Sequence, residues 1–270
     1  MSAKVAALAR DVREMLHEQV EYRDLLVQMT KRDLLLRYKQ TVMGFGWAIF
    51  TPLINTIIFS IMFTRVASID TPVPYPLFAY CGLWAWNLTA SSLKMAVNSL
   101  TGNSSLVTKV YFPREIFPLS SVLVCLVDFG VASVVLIGMM VYWHIAVGPA
   151  LIMLPVVLAV HLVFTMAFAL LLAMWNLFYR DIKYLFEVII VVWMFSTSVL
   201  YPTALVGGRL ATVLQFNPMT PIIDAYRSVL LLNEWPAMMP LTLTAAASVF
   251  LLGVAWLLFH RAEFEFAESV

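Results

Sequence analysis

The sequence predicts an all-α integral membrane protein of six transmembrane helices. To these it adds an N-terminal amphipathic interfacial helix, a short cytoplasmic helix after the second span, and a re-entrant or interfacial external helix before the last. Three observations predict this. Of 270 residues, 62% are hydrophobic and 12% charged, about half the charged share of ordinary soluble domains, ~25%. Mean hydropathy is +0.88. The charges are unevenly placed, with 14 of the 33 lying in residues 1–43. The remainder divides into apolar runs near the ~20 residues that a helix needs to cross the hydrocarbon core.

The arm comes first. Arg10, Asp11, Arg13 and Glu14 interrupt the first fifteen residues, so no cleaved secretory signal is expected. Val5, Leu8, Val12, Met15 and Leu16, and then Tyr22, Leu25, Leu26 and Met29, recur at helical spacing and predict amphipathic helix. Thr30 with Asp33 three residues on fits a capping box, which predicts a fresh helix from Lys31 to about Gln40. That helix carries Leu34, Leu35 and Tyr38 on one side. Arg32, Arg37 and Lys39 are placed to meet headgroups or phosphates, either as a positive-inside anchor or as part of a site for an anionic headgroup.

The spans follow in order: Gly44 to Thr64, Pro76 to about Leu100, Ile116 to Tyr142, Ile145 to Phe178, Glu187 to about Val206, and Met238 to Phe259. Domain organisation is therefore a polar region 1–43, a six-span unit 44–260 and a tail 261–270. Six crossings put both termini on one side. With the termini cytoplasmic, that face collects thirteen Lys/Arg against three (Arg65, Arg209 and Arg227) on the other, a positive-inside assignment. The external segment 207–236 contains Asn217-Pro218-Met219-Thr220-Pro221 and a helix-like Ile222 to Leu232, too short to cross.

Several chemistries are unsupported. Net charge is +1 and gives no reason to expect nucleic acid. Cys81 and Cys125 lie in apolar stretches and read as small buried hydrophobes. No glycine is followed by lysine, so the phosphate-binding loop of ATPases is absent. The four histidines have no metal-ligand spacing, and no nucleophile motif occurs. No metal, cofactor or catalytic residue is expected in this chain.

Intramembrane ionisable groups are costly and so draw attention. Lys94, Asp128, His161 and Glu187 are the set. Snorkelling explains Lys94 and Glu187, and an interhelical hydrogen bond explains His161 and Asp128; they are too scattered for a proton relay. Trp47, Phe59 and Phe63 in the first span and Tyr80, Trp84 and Trp86 in the second form an aromatic concentration. Interfacial belts account for it, as does a conduit on whose rings sugar faces stack. Between the second and third spans, Ser104 or Ser105 is suited to cap a short helix through Lys109 that Pro113 stops. Tyr111, Phe112 and Arg114 are then expected to project, either as a docking site or as part of a plain connection.

At this point the residues resemble a known family. KRDLLLRYKQTVMGFGWAIFTPL at 31–53, KVYFPREIFPLS at 109–120, FYRDIKY at 178–184 and NPMTPIIDAYRSVLL at 217–231 are similar to the transmembrane subunits of type 2 ABC exporters. The likeness is to those that export O-antigen, capsule or teichoic-acid-like polysaccharides. It covers nearly the whole chain.

The resemblance implies a homodimer in the bacterial inner membrane, docked through a coupling helix that includes Lys109, Tyr111, Phe112 and Arg114 onto a separate ATPase subunit. ATP and Mg2+ belong to that subunit. It further implies a lipid-linked glycan as cargo, its pyrophosphate near the turn that usually reads Leu-Gly and here reads Met43-Gly44. By the same carry-over, Arg32, Arg37 and Lys39 attract the diphosphate, and Trp47, Phe59, Phe63, Tyr80, Trp84 and Trp86 line the glycan path. A type 2 exporter of lipid or drug, or a membrane-embedded enzyme acting on lipid-linked sugars, stands as the alternative; the enzyme needs a polar catalytic cluster that the sequence does not supply.

Overall fold

The computed structural model describes residues 21–39, 41–65, 71–109, 112–203, 207–208, 214 and 216–269, and these are helical with no strand among them. In order, the helices are α1 (Arg23–Tyr38), α2 (Gly46–Arg65), α3 (Tyr75–Val97), a 3-10 turn (Thr101–Asn103), α4 (Ser104–Lys109) and α5 (Ile116–Tyr142). A second 3-10 turn (Pro149–Met153) leads into α6 (Leu154–Phe178), followed by α7 (Ile182–Phe195), α8 (Met219–Arg227), a π turn (Ser228–Leu232) and α9 (Met238–Ser269).

Among the described residues, four helical stretches are long and apolar enough to cross a membrane: Gly46–Thr64, Ile116–Tyr142, Pro149–Phe178 and Met238–Glu263. The chain is thus a multi-pass membrane protein. The other two expected spans look different for physical reasons. Helix α3 has the length, at 23 residues, but it is the centre of the bundle. Leu77, Ala79, Tyr80, Cys81, Ala85 and Leu93 are fully buried, and the helix packs on α2, α5, α6 and α8. Protein surrounds it, so Asn87, Thr89, Ser91 and Ser92 lower its hydropathy without meeting lipid. Helix α7 has 14 residues, about 21 Å at 1.5 Å per residue, short of the ~30 Å core.

The helix ends at Phe195, and the chain beyond it runs buried within the protein. Thr197, Ser198, Val199 and Leu200 are buried, and their backbone groups need partners that a membrane interior does not offer. Other elements supply them. Asn217 Nδ2 donates to Ser196 O and to Thr197 Oγ1, each at 2.7 Å, while its Oδ1 accepts the Met219 amide at 3.1 Å and so ties this segment to the start of α8. Tyr75 OH donates to Leu200 O at 2.9 Å. Arg227, on the last turn of α8, donates to Ser198 O and, at 2.6 Å, to Val199 O.

The arm differs from expectation. Helix α1 runs unbroken through Thr30, whose hydroxyl donates to Leu26 O at 2.8 Å. A mid-helix threonine that bonds back to i−4 cannot cap a new start, so the capping box at Thr30 and Asp33 does not form. Asp33 is drawn instead to Arg32 and Ser120. The expected start of the arm, residues 5–16, lies outside the described residues.

Candidate functional site

One face of α1 is fastened to α5. Arg37 Nη1 is 3.0 Å from Asp128 Oδ2 and 3.5 Å from Cys125 Sγ, and Tyr38 OH donates to Asp128 Oδ1. Burial, followed by that bond to the carboxylate, raises the Tyr38 phenol well above its ordinary pKa, so it stays a neutral donor. One turn earlier, Arg32 Nη2 donates to Asp33 Oδ1 at 2.7 Å and to Asn103 Oδ1 at 2.9 Å, while Ser120 Oγ donates to Asp33 Oδ2 at 3.1 Å. Asp128 therefore pairs with the surface helix and not with Lys94. The opposite face of α1, with Leu35 and Leu36 at 66% and 67% exposure, is left open.

The turn after α1 is built by short-range bonds. Thr41 Oγ1 donates to Tyr38 O at 2.9 Å and accepts the Gly44 amide at 3.1 Å. Gly44 has φ of +51°, the left-handed region in which a side chain is strained. This is the physical reason for glycine at that position. The Tyr38 and Phe45 rings, 4.4 Å apart, clamp the two sides of the turn, and Met43 stands half exposed.

Two adjoining pockets open where α1, α2, α3 and α5 meet. The outer one, about 600 Å³, is bounded by Asp33, Arg37, Lys94, Asn98 and Asn103. The inner one, about 330 Å³, is bounded by Arg37, Tyr38, Trp47, Trp84, Asn87 and Asp128. Arg37 and Ser91 line both, so together they form a groove that runs from the charged residues of α1 toward aromatic walls.

The aromatic residues divide. Trp47 and Trp84 line the inner pocket. Trp84 stacks on Phe129 with centroids 3.8 Å apart and donates from Nε1 to Phe129 O. Tyr80 and Trp86 are packed away from it: Tyr80 is fully buried with its hydroxyl on Ala132 O, and Trp86 is edge-on to Trp193 at 5.6 Å. Phe59 and Phe63 are half-buried against Tyr75 and the main core. Within this chain the rings of Tyr80 and Trp86 are used in packing α3.

Helix α4 forms where the sequence placed it, but its expected tip does not project. Phe112 is buried and packs on Phe117 at 5.5 Å. Arg114 is turned inward, donating to Val107 O at 3.1 Å and from its amide to Glu263 Oε1 at 3.0 Å. An aromatic ring beside a ready hydrophobic cluster gains more from burial than from solvent. Tyr111 lies outside the described residues, as does the Lys109 side chain. Among the described residues, the exposed part of this connection is Thr101, Gly102 and Ser105.

Of the other ionisable groups, His161 is fully buried, with Thr89 Oγ1 at 2.7 Å and Tyr226 OH at 3.3 Å. This is the satisfied interhelical role expected of it. Lys94 and Glu187 are exposed. Arg227, which charge counting placed outside, is buried, with its guanidinium 3.6 Å from the Phe78 ring centroid. The sequence signal for it was weak: an arginine three residues after Asp224 reads as an ordinary surface pair.

Comparison with known proteins bears on this geometry. Residues 24–231 match the model of a family described as ABC-2 type transporter. A protein of Myxococcus xanthus named O-antigen export system permease protein RfbA is 30% identical over 264 residues, covering 95% of this chain and 99% of its own. Two Klebsiella pneumoniae proteins of the same name are 29% and 26% identical. They cover 76% and 91% of this chain, and 80% and 94% of their own lengths.

Proposed function

The chain belongs to the ABC-2 type transporter family and is a permease subunit of an ABC polysaccharide exporter; from that premise we propose that it moves a lipid-linked O-antigen or related glycan out of the cytoplasm, as a homodimer driven by a separate ATP-binding cassette subunit. The observation that carries the cargo reading is the groove at α1. A lipid-linked glycan presents a diphosphate at the headgroup level and sugar rings beyond it, and the groove meets these in that order. Its outer pocket offers Lys94 and Arg37, and its inner pocket offers Trp47, whose exposed ring suits a pyranose face.

In this reading both termini are cytoplasmic and the subunit sits in the bacterial inner membrane. The six crossings are α2, α3, α5, α6, α7 with the segment that follows it, and α9. Helix α8 is the external re-entrant element. Helix α1 lies on the cytoplasmic surface, where Arg32, Arg37, Lys39 and the Met43-Gly44 turn form the headgroup entrance. Arg37 is already charge-paired, so it engages a phosphate by exchanging Asp128 for it, whereas Lys39 is exposed and acts by long-range attraction. Residues 101–109 dock on the ATPase, which holds the ATP and Mg2+. This chain itself performs no chemistry; it supplies the path.

The test is purification of the tagged chain in mild detergent, with mass spectrometry of its partners and an ATPase assay, alongside glycan localisation in cells lacking the gene. A stoichiometric ATPase and glycan trapped in the cytoplasm are expected. A chain that purifies alone without ATPase activity, or a null strain with normal surface glycan, overturns the reading.

A further inference from the structure

Three potential ligands from two elements converge where the start of α5 meets α9. Glu115 immediately precedes α5, while His260 and Glu263 stand at i and i+3 on α9 and so share a face. His260 Nδ1 lies 3.7 Å from Glu115 Oε1 and 3.9 Å from Glu263 Oε2, and one ligand atom from each residue falls within 4.8 Å of the others. Around a tetrahedral ion with bonds of about 2.0–2.1 Å, neighbouring ligand atoms stand ~3.4 Å apart. The observed separations of 3.7 and 3.9 Å, with the whole set inside 4.8 Å, are wider than that face, so the three side chains draw in to hold an ion.

Burial supplies the second observation. Glu115 is 1% exposed, and its Oε2 has no hydrogen-bond partner among the described residues. A buried carboxylate oxygen without a partner is far costlier than a neutral polar group in the same place. Arg114 lies on the Glu263 side of the cluster. Its Nε is 4.0 Å from Glu263 Oε1, and its guanidinium serves the carbonyls of Glu263 and Val107. One guanidinium beside two carboxylates leaves a place in the charge balance for a bound cation next to Glu115, whose Oε2 has no partner among the described residues.

We propose that Glu115, His260 and Glu263 form a site for a divalent transition-metal ion of the zinc type, with water completing the tetrahedron. An imidazole with two carboxylates suits zinc better than magnesium or calcium, which take oxygen shells. The ion clasps α9 to the connection before α5, beside the cluster of Phe112, Phe117, Phe259 and Phe266. It thereby fixes the rear of the α4 connection without touching the groove.

The probe is zinc itself. Full-length protein in detergent is stripped with chelator, and zinc is titrated by calorimetry while bound metal is counted by mass spectrometry. About one zinc per chain is expected, with a rise in melting temperature. Glu115→Gln and Glu263→Gln should each weaken binding by at least ~10-fold, the scale on which even supporting partners of a metal act. His260→Ala serves as the control should a carboxylate variant fail to fold. Substoichiometric zinc in the wild type, or equal binding by wild type and a folded variant, overturns the proposal. A melting temperature that varies with pH but not with zinc overturns it too, since the buried charge is then met by a proton. These readouts are independent of ATPase association and glycan export, so failure here leaves the transport reading in place.

Discussion

Arg37 Nη1 and Asp128 Oδ2 stand 3.0 Å apart, joining the last turn of the amphipathic helix to the body of α5. Because Tyr38 OH donates to the same carboxylate, Asp128 holds two consecutive residues of α1 and so fixes the angle at which that helix leaves the turn at Gly44. The partners are half exposed and 14% exposed at the side chain, so the pair lies between the surface and buried limits. Its contribution is about 1–3 kcal/mol, the range for bonds to charged groups.

Asp128→Asn keeps an acceptor for Tyr38 and removes the charge. Export should persist, with a melting temperature lowered by a few degrees. Arg37→Glu places like charges together and should abolish export, and the exchange Arg37→Glu with Asp128→Arg should recover part of it. Surface glycan staining in a complemented null strain, with protein level measured in parallel, checks this. No recovery by the exchange in a stably inserted protein sinks the idea that the pair positions α1.

Arg227 is a prediction of the opposite kind, because its partners are all internal. Removing the guanidinium leaves the carbonyls of Phe78, Ser198 and Val199 without their donor at a cost of about 1–3 kcal/mol each. Arg227→Met should give protein that aggregates on size-exclusion chromatography in detergent. Arg227→Lys should help little, since an ammonium lacks the planar fork that reaches several carbonyls. A monodisperse Arg227→Met protein would show that the segment after α7 does not depend on it.

Gly82 tests the same corner from the other side. A Cβ there would lie 2.3 Å from Val199 O and 2.5 Å from Arg227 Nη2, so Gly82→Ala should cost at least the ~1–3 kcal/mol typical of overpacking. Gly138, in α5, has nothing within 4 Å of the same position. There the substitution should be neutral or stabilising by up to about 1 kcal/mol. Thermal stability of the two purified variants decides it.

These examples show what the sequence exposes and what it hides. Apolar run length gave the spans that face lipid, and the basic helix with its Gly44 turn was legible because local rules govern it. Helix α3 was placed correctly as an element, but its buried role follows from neighbours that no periodicity reveals. The end of the helix at Phe195 was not legible because Ser196 to Leu200 reads as apolar helix, whereas the irregular backbone there depends on Asn217 and Arg227, each about twenty to thirty residues away. Glu115 and His260 are 145 positions apart in the sequence, so histidine spacing alone could not bring them together.

The coupling connection carries the last prediction, and the burial of Phe112 changes which residue tests it. Phe112→Asp places a carboxylate inside the cluster that includes Phe117 and Phe259, and is expected to destabilise the fold as a whole. It would lower ATPase association for a trivial reason. Ser105 is exposed on α4, so Ser105→Arg adds bulk and charge to the outer face without disturbing the core. Ser105→Arg should leave melting temperature unchanged while reducing co-purified ATPase several-fold, and Phe112→Leu should preserve both. If Ser105→Arg retains the full complement of ATPase with wild-type export, the exposed face of residues 101–109 is not where the partner docks.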